Sequence, residues 1–275
     1  MSSTRPLVIS ALLLAAISSC PAMAQSSATQ PDGAAEIARV PTLYYAPHNL
    51  QSFSCHVTPD WEGLAKQFGG TNTLADQSDL QFLKSIRLTA QDNLTQGGSV
   101  DWNIPDGIVP PPELAGRLPP LRQGLDRAFE VFFSFWNAVV TGDIFSQPAD
   151  AGGITRDTTG WHTHEADASQ SIDETFDRDL FLLSMKTVDS HGTRLVKPHF
   201  ADTPDGRLVT SVELETTPAG STATHAGRIG IGYSIVDGFH LPTTVSVLAT
   251  GVSVEFTLTN CTAVKANQST IPSGP

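Results

Sequence analysis

The sequence predicts an α+β fold, in which an antiparallel β-sheet packs on one long amphipathic helix and one short helix. Three observations predict it. The last third of the chain is a run of alternating apolar and polar segments separated by turn residues. One segment near the middle repeats apolar residues at helical spacing. A short alternating segment near the start is broken by Thr58-Pro59-Asp60 before a second, shorter helical pattern. Strands in series beside one or two helices read as α+β.

The chain opens on an export signal. Arg5 is the one charge before the apolar run 7–17, and Ala22-Met23-Ala24 supplies the small residues before a cut ahead of Gln25. Residues 1–24 are therefore expected to be removed. Cys20 sits in a degenerate lipoprotein-type box, Ile17-Ser18-Ser19-Cys20. Cleavage at the Ala-Met-Ala site discards it, and lipidation at Cys20 would instead anchor the chain. Residues 25–39 read as a flexible lead, 40–264 as one domain, and 265–275 as a disordered tail.

Within 40–264 the elements follow in order. Phe53, Cys55 and Val57 alternate as a first strand. Asp60 then suits the N-cap of a helix over 61–68, stopped by Gly69-Gly70. Strands are expected at 83–90 and 99–104. The Pro-rich stretch 105–120 connects to a helix over 120–141, started by Pro120 and stopped by Gly142. Its apolar stripe is Leu121, Leu125, Phe129, Phe132, Phe133, Trp136, Val139 and Val140, with Arg122, Asp126, Arg127, Glu130 and Asn137 on the other side. Strands follow at 181–188, 193–200, 208–215, 229–235, 239–248 and 252–258, with Asp237-Gly238 as a tight hairpin turn.

The 275-residue chain carries a net charge of -12, from 16 basic and 28 acidic residues. Scattered Lys and Arg on an acidic chain give neither the footprint of a nucleic-acid binder nor a polybasic patch for anionic lipid. No segment after residue 24 is long and apolar enough to span a bilayer. Cys55 and Cys261 are the two cysteines left after export. In an oxidising compartment they are expected to pair rather than remain two buried thiols.

Motifs for chemistry are sparse. His162-Thr163-His164-Glu165 is the one local cluster of metal-ligand types. On a strand, His162 and His164 share a face. A third ligand from His191, His199 or His240 would be needed for a metal-dependent hydrolase. The polar surroundings favour a solvated loop or edge strand with no metal. Asp173, Glu174, Asp177 and Asp179 read as a solvated loop. Gly227, Gly230 and Gly232 lie in an alternating strand with no helix after it, which suits close strand packing rather than phosphate binding. Asn93, Asn260 and Asn267 head sequons.

The segment Tyr233-Ser-Ile-Val-Asp-Gly-Phe-His-Leu-Pro-Thr-Thr-Val-Ser-Val247 resembles a hairpin of periplasmic proteins with the LolA/LolB-like half-barrel fold. Cys55-His-Val-Thr-Pro-Asp60-Trp61 with Cys261 resembles a group of exported bacterial proteins that share a Cys-x-Val-x-Pro-Asp-Trp start. These resemblances imply a curved sheet wrapped around plug helices, in a periplasmic or secreted bacterial protein. The arginine by which the lipoprotein carriers close their lid has no counterpart here. The first functional expectation is an exported, non-enzymatic protein that binds a lipid or acylated ligand on its concave side, with Phe129, Phe132, Phe133 and Trp136 as the candidate lining and no cofactor. Ordinary core packing of that stripe is the competing reading. A structural or interaction domain without a small ligand is the third.

Overall fold

The computed structural model describes residues 31–67, 74–145, 153–249 and 252–266. The expected signal segment, Cys20, the Gly69-Gly70 stop, Gly251 and the Asn267 sequon lie outside the described residues.

The helices are α1 (Pro31–Arg39), α2 (Trp61–Gln67), α3 (Leu74–Ser85), α4 (Pro112–Ala115) and α5 (Leu118–Thr141). The strands are β1 (Leu50–Pro59), β2 (Arg87–Asn93), β3 (Gly97–Asn103), β4 (Gly153–Arg156), β5 (Gly160–Ala166), β6 (Gln170–Asp177), β7 (Leu182–Asp189), β8 (Gly192–Thr203), β9 (Gly206–Pro218), β10 (His225–Val236), β11 (Phe239–Ala249) and β12 (Val252–Lys265). They form one sheet in the order β3-β2-β1-β12-β11-β10-β9-β8-β7-β6-β5-β4. From β4 onward the order is a plain meander, and β1 joins beside β12, so β3 and β4 are the end strands.

The α+β class and the antiparallel meander expected from the sequence are present. Asp60 caps α2 by accepting from the Gly63 amide at 2.9 Å. The Asp237-Gly238 turn has φ of 52° and 89°, as a type I′ hairpin requires.

Several expectations are corrected. Residues 83–90 do not form one strand: Leu83 lies in the last turn of α3, which ends at Ser85, and β2 begins at Arg87. Phe82, Leu83 and Ile86 are all buried, a spacing of one and four residues that belongs to a helix face. The segment around His162 is the strand β5, one place in from the edge strand β4 rather than a solvated loop or the edge itself, and the segment around Asp173 is its partner β6 rather than a solvated loop. Their inward positions include Thr163 and Glu174, which are 2 % and 1 % exposed, so polar residues there hide the alternation. Part of the expected flexible lead is α1, with Ile37 buried. Cys55 and Cys261 are bonded. They join the first and last strands of the chain, but these are neighbours inside the sheet and not its ends.

The described residues group into two compact units. One comprises 31–46, 142–231 and 246–253. The other comprises 47–141, 232–245 and 254–266. Strands β10, β11 and β12 each contribute residues to both.

In the first unit, the residues after α1 are held by Tyr44. Its buried hydroxyl accepts from the Leu182 amide at 2.7 Å and donates to the Leu180 carbonyl at 3.1 Å. Arg207 donates to the same Leu180 carbonyl at 2.9 Å and stacks over the Phe181 ring at 3.4 Å. Burial pushes the Tyr44 hydroxyl up to about 12, so it stays protonated and keeps both bonds.

In the second unit, α5 packs its aromatic stripe on the inner face of β1, β2, β3 and β12. Phe53 meets Phe133 and Trp136 edge-on, and Phe129 lies 4.4 Å from Phe256 between ring centroids. Gly98 makes room for the helix: a Cβ there would lie 2.3 Å from Phe133.

Candidate functional site

Strand alternation decides what each face of the second unit can do. On β1, Phe53, Cys55 and Val57 point inward, so Ser52, Ser54 and His56 point outward. In register beside them, Asp92 and Ala90 face in while Gln91 and Asn93 face out. The outward residues line up across four strands in two rows. One row is Val264, Ser52, Asn93 and Gly97, and the other is Thr262, Ser54, Gln91 and Ser99.

These rows floor a groove of about 490 Å³ that Gln96 borders. Phe53 and Asp92 also line it, and their side chains are engaged by α5. The groove is built from hydroxyls and carboxamides, which both donate and accept hydrogen bonds. Gln91 is steadied by donating to Asp101 at 3.1 Å, and the Asn93 carboxamide oxygen accepts from the Thr95 amide and hydroxyl.

The inner face holds the residues expected to border an apolar ligand. Phe129, Phe132, Phe133 and Trp136 are each 0–1 % exposed. Their rings contact one another, Phe53 and Phe256, so each is packed as core.

One buried acid stands among them. Asp92 is 1 % exposed and accepts from Asn137 Nδ2 of α5 at 2.9 Å. Asp92 Oδ2, Asn137 Oδ1 and Trp136 Nε1 are buried with no hydrogen-bond partner. Burial pushes the Asp92 carboxyl up to about 6, against the smaller opposing pull of the Asn137 bond. Sequence reasoning misses this residue, although a signal for it exists: a lone Asp at an inward position of an alternating strand. The acids at 60, 101 and 173–179 are more conspicuous in the sequence because they stand among polar neighbours.

In the first unit His162 and His164 do share a face of β5, but each goes to its own acid. His162 Nε2 lies 3.0 Å from Asp157, and His164 Nδ1 lies 2.6 Å from Asp173. Asp157 is held well below the usual carboxylate range, chiefly by the Thr159 hydroxyl and by the Thr159 and Gly160 amides. His199 lies on β8, 3.6 Å from Glu213. Among the described residues no group of three His, Cys, Asp or Glu is placed to hold a metal ion. Thr175 Oγ1 stands 3.4 Å from His162 Nδ1, which completes a hydroxyl–imidazole–carboxylate chain. The Asp157 end of that chain is more than half exposed, so it lacks the water-excluded setting that makes such relays effective.

No family model, curated protein or solved structure matches this chain. The functional reading therefore rests on the geometry of the two units themselves. Among the described residues no helix is long and apolar enough to cross a membrane.

Proposed function

We propose that this protein is an exported binding domain that recognises a neutral, hydroxyl-rich ligand, such as an oligosaccharide, through the polar groove of its second unit. The observation that carries the reading is the pair of outward rows, Ser52 with Asn93 and Thr262-Ser54-Gln91-Ser99. The hydroxyls can donate or accept and each carboxamide offers a donor and an acceptor, which suits the hydroxyls of such a ligand. The groove volume falls in the range of small-ligand sites. A net charge of -12 disfavours an anionic ligand at long range. The Cys55–Cys261 bond supports an oxidising, extracytoplasmic setting.

A half-barrel carrier of the LolA/LolB kind would hold an apolar ligand against Phe129, Phe132, Phe133 and Trp136. The complete burial of those rings in mutual contact favours core packing over that role. The test is calorimetric titration with a panel of neutral oligosaccharides, beside a fluorescent fatty acid. Binding of an oligosaccharide that Gln91→Leu with Ser54→Leu abolishes, without change in the unfolding midpoint, is the expected result. Binding of the fatty acid alone, lost in Trp136→Ala, would replace this reading with the carrier.

A further inference from the structure

The inner face of the second unit carries a feature that the groove does not use. Asn137 Nδ2 donates to one oxygen of Asp92, while the remaining oxygens of both side chains are buried and unpaired. A carboxylate and a carboxamide oxygen are both acceptors, so two buried acceptors lack a donor. A protonated carboxyl is a different partner, because it offers one donor and one acceptor in a plane, as a carboxamide does.

We propose that Asp92 and Asn137 form a proton-dependent latch between β2 and α5. The protonated carboxyl donates from Oδ2 to Asn137 Oδ1, which closes a two-bond ring with the bond already in place. The proton comes from solvent and returns there when the latch opens.

The surroundings isolate this pair from other charges. On β1, Cys55 is in the disulfide and His56 points outward. On β3, Asp101 points outward and binds Gln91. On α5, Arg122 and Asp126 pair with each other, Asp126 also accepts from Trp102, and Arg127 pairs with Glu130. Trp136 Nε1 is buried without a hydrogen-bond partner, so it adds no bond to the ring. Burial and the Asn137 bond alone set the carboxyl's acidity, and burial is the larger.

The latch ties the C-terminal half of α5 to the sheet, while Trp102 Nε1 donating to Asp126 at 2.7 Å ties the N-terminal half. Ionisation of Asp92 therefore loosens the Asn137 end first. The test uses the full chain, with the Asp92 carboxyl carbon followed by NMR from pH 3 to pH 9. A midpoint near 6 is expected, together with faster intrinsic-rate-corrected amide exchange around Asn137 at pH 8 than at pH 5. Asp92→Asn, which keeps a permanent donor and acceptor, should unfold at pH 4 and at pH 8 with the midpoint that the wild type has at pH 4. An Asp92 midpoint near 4 in the wild type, the ordinary carboxylate value, overturns the proposal whether or not the variant folds. So does an Asp92→Asn protein whose unfolding midpoint varies with pH as the wild type's does.

Discussion

The two faces of β1, β2 and β3 are one backbone put to opposite uses. Inward, Phe53, Asp92 and Gly98 meet α5 with the aromatic rings fully buried. Outward, Ser52, Ser54, Gln91, Asn93 and Ser99 floor an open groove. Successive residues differ in face, so a one-residue change of register would exchange the two roles. The proposed reading puts stability on one face and recognition on the other, and substitutions should separate them.

The largest effect should come from the disulfide, whose Cys55 lies on the inner face. It closes a sequence separation of 206 residues, and its removal as Cys55→Ser with Cys261→Ser should cost about 4–5 kcal/mol by the chain-entropy model. Urea unfolding of the double variant checks this, and a loss under about 1 kcal/mol would count against a locked β1–β12 pair. Phe133→Ala and Trp136→Ala should each cost roughly 3–5 kcal/mol, as fully buried aromatics do. A much cheaper truncation at one of them, paired with lost fatty-acid binding, would assign part of the inner face to a ligand.

Next comes pH. The folded carboxyl of Asp92 sits near 6, above its ordinary value of 3.8. A raised acid favours the folded state when protonated. Its contribution is fully present below about pH 4, and is lost as pH rises through about 6, for a total of about 3 kcal/mol. Unfolding midpoints at pH 4 and pH 8, compared between wild type and Asp92→Asn, give the difference. At the hairpin, Gly238→Val places a branched side chain at a φ of 89° and should cost about 1 kcal/mol or more. An unchanged midpoint would mean that the turn relaxes to another type. Smallest of all, Ser54→Ala and Thr262→Ala on the outer face should change stability by no more than about 0.5 kcal/mol while weakening ligand binding.

The inner face is far more legible in the sequence than the outer one. The α5 stripe, the Asp60 cap, the Asp237-Gly238 turn and the Cys55–Cys261 pair each follow from local residue chemistry or from compartment. The features that sequence reasoning misses are long-range or disguised. The inward Thr163 and Glu174 are polar, so β5 and β6 read as loops, and Leu83 reads as strand because Ile86 and Leu88 alternate after it. The placement of β1 beside β12 brings Thr262 and Val264 to Ser54 and Ser52, and no sequence-local signal carries that pairing. The groove depends on it, so the groove is not legible from the sequence. Asp92 carries a local signal as an acid at an inward strand position, but its partner Asn137 stands at a sequence separation of 45.

The most direct test of the division between faces is a pair of NMR titrations on one labelled sample, first with a neutral oligosaccharide that binds and then with a fatty-acid analogue. The oligosaccharide should move the signals of Ser52, Ser54, Gln91, Asn93, Ser99 and Thr262, and neither ligand should move the Phe129 and Phe133 rings or the Trp136 indole. Saturable fatty-acid shifts at Phe129, Phe133 or Trp136, with the outer rows silent to both ligands, would contradict that division.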